Sequence, residues 1–305
     1  MVGLGLLALD ILGSGPAAFG FACTATSPAG LNVQVAPGRI YSLQNVDNSA
    51  YSSLAADTAH QILKQGTLPD AITLGCPAPA TAGFSINYLV QVAYQDQDTD
   101  LAVLPYYNSS NPSVPNSGVG NNGVAQATTR KGVAAVTVKA GTAAATGSQT
   151  TPAPDTGNSG LYVVTVANGQ STITSGNISV YVGAPFTSGT CTLNLTGCTT
   201  SPTTTMRWVK TNGSLVTAYI NSVTAVSNSN FCSFTGLPPN LYPSFGQTIG
   251  VASVMNSGAT GGGGGLQVQT NGTIDLILNG SNAIWTTSGL KGLPNPAVIT
   301  WILGS

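Results

Sequence analysis

Ile86-Asn87-Tyr88-Leu89-Val90-Gln91-Val92-Ala93-Tyr94 is the stretch on which the fold turns. Ile86, Tyr88, Val90, Val92 and Tyr94 recur with a period of two. Successive side chains of a strand point to opposite faces, so this is the pattern of a long β-strand. The same period recurs on both sides of it. Leu31, Val33 and Val35 share a face before Pro37-Gly38 turns the chain. Val133 to Val138 form another candidate strand, and Leu161–Ala167 is a β-branched run ending at Asn168-Gly169, a strong hairpin turn. Ile178, Val180 and Val182 close this first region. Residues 105–131 and 140–160, rich in small and polar residues, are expected to be loops, and Tyr51–Lys64 is compatible with a short helix.

Ala184-Pro185-Phe186 with Ser188-Gly189 marks a boundary. Beyond it the alternation is cleaner. Cys191, Leu193 and Leu195 point inward, and Leu215–Ile220, Thr273–Leu278 and Val298–Leu303 are further strands. Asn212-Gly213, Asn271-Gly272 and Asn279-Gly280 punctuate them, and the Gly261–Gly265 run is a flexible loop. About eight short strands in this half suit a jelly roll or similar sandwich. The expected fold is therefore all-β. It has a docking segment over 1–20, a β-sandwich over 21–185 and a jelly-roll-like domain over 186–305.

The first residues are apolar and end in small residues before Cys23. No Lys or Arg precedes Arg39, and Asp10 interrupts the run, so the pattern fits a cleaved signal poorly. A short helix with Leu4, Leu7 and Ile11 on one face, stopped at Gly13-Ser14-Gly15-Pro16, is the expectation. Such an apolar element is suited to docking on another subunit.

Charged residues make up only 6% of the 305, and all nine acidic residues are aspartates. The surface must then be covered by Ser, Thr, Asn, Gln and Gly. That composition suits extended β structure and subunit packing, and it suits poorly a site built on tuned charges. The net charge of −1 and the single adjacent basic pair, Arg130-Lys131, offer nothing to a nucleic-acid backbone. No apolar run approaches the roughly 18 residues of a spanning helix. Five cysteines without C-x-x-C spacing and one histidine argue against zinc. They are read as free, buried thiols of a protein made in a reducing cytoplasm, with a Cys191–Cys198 disulfide as the alternative.

The second half resembles the C-terminal head module of bacteriophage tail fibres. The residues that carry this are Gly189 to Pro202 (GTCTLNLTGCTTSP), Arg207-Trp208-Val209-Lys210, Thr235-Gly236-Leu237-Pro238, Asn271-Gly272-Thr273-Ile274 and Trp285 to Gly289. The first half is similar to the N-terminal region of the same proteins at Phe21 to Thr24, Val35 to Tyr41, Asn87 to Gln91, Thr151 to Asp155 and Gly160 to Tyr162. The resemblance implies a homotrimeric component of the virion tail, made in the bacterial host cytoplasm. Its N-terminal part would be mounted on other tail proteins and its C-terminal head would face the host. With no long shaft between the halves, it implies a compact short fibre or a docked appendage. A purely structural virion protein, such as a tail adaptor or head decoration, is the alternative.

Three groups of residues invite chemistry. Asp96, Asp98 and Asp100 alternate as ligands of a hard cation could, but Leu101 and Tyr107 occupy positions where a Ca²⁺ loop needs Gly and Glu, so a solvated turn is expected. Asp57 and His60 could pair, yet no nucleophile motif accompanies them, and Asp275 is the lone carboxylate of the second half where glycan hydrolysis needs two. No enzymatic role, metal or cofactor is expected. Among the aromatics that could stack on sugar, Trp208, Trp301, Tyr219, Tyr242 and Phe245 stand beside Trp285. Trp301 alternates with Ile299 and Leu303 and is assigned to the core. The receptor candidates are Asn228, Asn230, Asn279, Asn282 and Trp285, in loops 228–230, 258–265 and 279–287, with a neutral host-surface glycan as ligand.

Overall fold

The structure is a computed structural model that describes residues 15–47, 56–103, 125–211, 214–251, 253–260, 264–278 and 285–304. The protein is all-β. Among the described residues the helical content is two single 3-10 turns, Ser175–Asn177 and Pro239–Leu241. Leu4, Leu7 and Ile11, and with them the expected docking helix, lie outside the described residues.

The first region contains β1 (Ala17–Gly20), β2 (Cys23–Ala25), β3 (Asn32–Val35), β4 (Gly38–Asn45), β5 (Gln61–Leu68), β6 (Ile72–Gly75), β7 (Phe84–Ala102), β8 (Gln126–Ala140), β9 (Ala144–Ala145), β10 (Ser159–Ala167) and β11 (Ile178–Val180). The main sheet runs β1-β4-β5-β8-β7-β10-β11, with β9 on β7, and β2-β3-β6 form a smaller sheet. Ile86–Tyr94 is the centre of β7, where Val90 faces Val138 on one side and Tyr162 on the other. Val33 and Val35 of the small sheet share the hydrophobic core with Val90, Val92, Leu161 and Val164.

Several expectations change here. Ala17–Gly20 is a sheet strand, paired with β4, and not part of a detached segment. Gln61 to Lys64 belong to β5 and pair antiparallel with β4, which removes the helix expected up to Lys64. Residues 126–131 are strand, because the cross-strand ladder with β7 continues to Gln126. Asn168-Gly169 does turn the chain, with Gly169 at φ +76°, but the loop then runs through a 3-10 turn before β11 pairs with β10.

The second region contains β12 (Ser188–Thr196), β13 (Thr203–Thr211), β14 (Leu215–Ile220), β15 (Val223–Val226), β16 (Ser233–Thr235), β17 (Gln247–Val251), β18 (Met255–Asn256), β19 (Ala259–Thr260), β20 (Gly264–Val268), β21 (Ile274–Ile277), β22 (Leu290–Leu293) and β23 (Ala297–Ile302). Eight of them form one sheet in the order β17-β20-β21-β16-β12-β13-β14-β23. It curls until its two edges meet. The side-chain amide of Gln247 on β17 donates to the Ile302 carbonyl and accepts the Ile302 N–H on β23 at 2.9 Å. The inward residues, among them Leu193, Leu195, Met206, Val216, Phe234 and Trp301, are enclosed between the curled layers. A second sheet runs β15-β22-β18-β19. Here the expected 258–265 loop resolves differently: Ser257-Gly258 is the tip of the β18–β19 hairpin, and Gly264 opens β20.

Among the described residues the strand ladders stay within 17–180 or within 188–302. The two regions join where Ala18 N–H donates to Pro185 O at 2.7 Å and the Phe186 ring packs on Tyr162.

Candidate functional site

The short sheet β15-β22 brings three loops together at one end of the second region. The turn after β12 (Gly197 to Thr200), the turn after β15 (Ser227 to Phe231) and the turn before β22 (Thr286 to Gly289) are laced by backbone and hydroxyl contacts. Ser227 N–H donates to Gly289 O at 2.8 Å and Asn228 N–H to Gly197 O at 3.3 Å. The Ser227 hydroxyl reaches Thr286 O at 2.5 Å. Gly197 sits at φ +81°, where a Cβ would lie 2.3 Å from Phe231 O, so only glycine lets the first two loops approach this closely.

Beneath them is Lys291, fully buried at 0% exposure. On β22 Leu290 is exposed, whereas Lys291, Gly292 and Leu293 are all buried. Its ammonium has three protons and three acceptors: Ser229 O at 2.9 Å, Ser229 Oγ at 3.2 Å and Phe231 O at 2.5 Å. It also lies 5.9 Å from the centroid of the Phe231 ring. No carboxylate pairs with it among the described residues. Burying an ion costs several kcal/mol. Hydrogen bonds to a charged group return roughly 1.5–3 kcal/mol each. All three are therefore needed, and the loop carbonyls are held turned inward. Two thiols flank this lysine. Burial pushes Cys232 up to about 12, with Cys198 adding to the rise and the ammonium opposing it. Burial likewise raises Cys198, against the ammonium. Both are thus protonated and chemically quiet at neutral pH.

The outer surface of the cluster is neutral. Asn228, Asn230, Thr199 and Thr200 are exposed, and the Phe231 ring is 50% exposed. Asn228 and Asn230, the loop candidates from the sequence, thus lie on one tip. Trp285 does not join them. It is 5% exposed and its Nε1–H donates to Leu276 O at 3.1 Å, which makes it a core residue whose polar atom is satisfied inside. Asn279 and Asn282 lie outside the described residues. Phe231 and Lys291 were missed by sequence reasoning, since neither lies on a periodic face that marks it. Trp208 and Trp301 are buried, and Trp301 Nε1–H donates to Leu241 O.

Asp96, Asp98 and Asp100 lie on β7, not on a turn; Asp96 and Asp98 are paired in the ladder to β8, and Asp100, at φ +58°, is the residue the ladder skips. Each faces a cation: Lys64 at 3.0 Å, Arg130 at 2.7 Å and Lys131 at 3.9 Å. Arg130 also holds Asp47 at 3.0 Å. The carboxylates are committed to these pairs, and among the described residues no cluster with metal-ligand character appears. Asp57 accepts from His60 Nδ1 at 3.0 Å on an exposed loop, which holds its carboxyl below the usual range. In the second region the Asp275 carboxylate accepts from Ser233 Oγ at 2.7 Å and Gln269 Nε2 at 2.8 Å. All five cysteines are free thiols, Cys191 and Cys198 included. A shallow groove of about 380 Å³ beside β1 and β4 is lined by Phe19, Pro37, Leu68 and Pro69 with Arg39 as its one charge, and holds no acid–base pair.

Comparison with known families finds no family model that matches this chain, and comparison with curated proteins finds no matching sequence.

Proposed function

We propose that the protein is a virion component of bacteriophage tail-fibre type, mounted on the tail by its N-terminal region, with host-surface recognition in a jelly-roll-like C-terminal domain. The observation that carries this reading is the loop cluster over β15 and β22. It exposes amides, hydroxyls and one phenyl ring, without an exposed charge on Asn228–Phe231, on a base fixed by a buried ammonium. Binding residues are typically found on loops held by a rigid scaffold, and this arrangement has that form. A neutral polar surface with an aromatic face suits uncharged saccharide, which is bound by hydrogen bonds and apolar stacking. The role is one of binding and not catalysis: Asp275, the only carboxylate of the second half, is already held by Ser233 and Gln269. Weak single-site binding would be made useful by several copies acting together.

A second reading, a purely structural virion protein, is favoured by one observation. The outward face of β13, β14 and β23 exposes Val209, Tyr219, Val298 and Ile302, as a surface meant for protein packing would. Adsorption separates the two. The purified full-length protein should adsorb to host cells and compete with intact particles, with little dependence on salt because few ions are released. A protein that assembles into particles but neither adsorbs nor competes would establish the structural role instead.

A further inference from the structure

We propose that Lys291 is the positioning residue of a neutral-sugar site whose stacking surface is Phe231 and whose hydrogen-bonding groups are Asn228 and Asn230, with Thr199 and Thr200 at the rim. This rests on the reading of the second region as the recognition half and assigns its site.

Among the described residues Lys291 is the one charged side chain that is fully buried, and it has no ion-pair partner there. A core position of this kind is ordinarily apolar, since burying a charge needs compensation that an aliphatic side chain does not. The compensation here comes entirely from one loop. Both carbonyls that accept from the ammonium belong to Ser229 and Phe231, and the third acceptor is the Ser229 hydroxyl. That hydroxyl is itself shared between Gly197 O at 3.0 Å and Phe231 O at 3.2 Å. With the carbonyls of 229 and 231 turned in, the side chains between and beside them are displayed. Asn230 is exposed, Asn228 is exposed and the Phe231 ring is half open to solvent. Thr199 is tied to the same tip through its N–H to Val226 O at 2.9 Å.

The chemistry of the display selects the ligand. The ammonium is spent on interior oxygens and none of its charge-bearing donors faces outward, so the tip offers no cation to a phosphate, sulfate or carboxylate. An aromatic face bordered by amides and hydroxyls matches a pyranose, whose C–H face stacks while its hydroxyls find donors and acceptors. Holding the loop in advance removes an ordering cost that a weak sugar site could not otherwise overcome.

The test uses the full-length protein on an immobilised panel of uncharged oligosaccharides built from glucose, galactose and N-acetylglucosamine, alongside whole host cells. Binding to at least one panel member is expected. Phe231→Ala should weaken it at least tenfold with an unchanged melting curve, and Phe231→Tyr should retain it. Lys291→Met should weaken it several-fold and speed amide exchange at 228–231, while Lys291→Gln, which keeps two donors, recovers part of the affinity. Should Lys291→Met fail to fold, Ser229→Ala removes one of the three acceptors and should produce the same loss in milder form. Sugar binding that survives Phe231→Ala overturns the site while leaving the recognition reading intact. So does adsorption to cells with no binding to the panel, which would indicate a charged or protein receptor. A wild-type protein that binds neither sugars nor cells overturns both. Equal losses in Lys291→Met and Lys291→Gln would reduce Lys291 to a structural residue.

Discussion

At the scale of single residues, the fold depends on a few places where only one side chain fits. Gly272 turns β20 into β21 at φ +82°, and a Cβ there would lie 2.1 Å from the Tyr242 ring. Gly169 has a similar φ of +76° but nothing within 4 Å of the same point. Replacing each by Ala separates two costs. The left-handed backbone alone costs roughly 1–2 kcal/mol. Gly169→Ala should lose about that much in urea denaturation, and Gly272→Ala should lose at least ~1 kcal/mol more, because overpacking typically costs 1–3 kcal/mol. Equal losses would mean that Tyr242 swings away freely. Trp285 teaches the complementary lesson. Its flanking Asn and Thr residues set it at a strand end beside loops, open both to core packing and to a surface role, and the ring packs inward with its N–H on Leu276 O. No local pattern encodes that partner nine residues away. Asn228 and Asn230 were legible because turn-forming side chains mark loops, whereas the buried Lys291 was not, since lysine ordinarily signals solvent.

At the scale of elements, alternation made the strands legible and left their surroundings dark. In β7 the residues from Ser85 to Val92 are buried on both faces. Alternation alone implies one covered face; the second is covered by the 150–155 segment. There Gln91 Nε2 donates to Asp155 Oδ2 at 2.6 Å and Asn87 Nδ2 to Thr151 Oγ1 at 3.0 Å. A Pro-rich coil that crosses a sheet leaves no periodic trace. The far half of β7 carries the charge ladder, and its acid sensitivity follows from its geometry. For Asp96, burial pushes the carboxyl up, but the Tyr94 hydroxyl and the Lys64 ammonium outweigh it and leave it below the ordinary range. Hydrogen bonds from Arg130 depress Asp98, and those from Thr129 and Thr99 depress Asp100, helped by Lys131. Depressed carboxyls contribute stability that is present above their unfolded value, near 3.9, and lost as pH falls through their folded values. The ladder is largely exposed, so the effect is small and local. Amide exchange of residues 95–102 and 126–133, corrected for intrinsic rates, should therefore be steady from pH 7 to 5 and quicken below about pH 4. The core of β13 and β14, which lacks such pairs, should show no matching change. Quickening at both places together would point to global unfolding and remove the ladder's role.

At the scale of the whole molecule, the scarcity of charge becomes a statement about assembly. The curled sheet of the second region hides one face and shows the other, and the shown face is unusually apolar across three neighbouring strands. Register places Arg207, Tyr219 and Val298 side by side, then Val209, Thr217 and Thr300, then Thr211, Leu215 and Ile302. Val298 is 62% exposed and Val209 is 53% exposed, and Arg207 is the only charge among these nine. A free surface of this kind invites association, since mixed surface charge is what ordinarily opposes it. We predict that a second copy of the chain covers it. It carries a net charge of only −1, so copies approach without repulsion, and Thr, Tyr and aliphatic side chains can interdigitate without stranding ions. We predict that the protein is a homotrimer packed through this face, the number three coming from the tail-fibre resemblance and the face from the sheet. Sedimentation at micromolar concentration should give three chains. Val298→Lys should shift the population to monomer by placing a charge in the centre of each contact. Its circular dichroism should stay unchanged, because Val298 points away from the core formed by Ile299 and Trp301. A wild-type chain that sediments as a monomer would remove the prediction outright. A trimer that tolerates Val298→Lys would place the contact on another surface, with the exposed aliphatic residues Ile62 and Leu101 near the charge ladder the next to mutate.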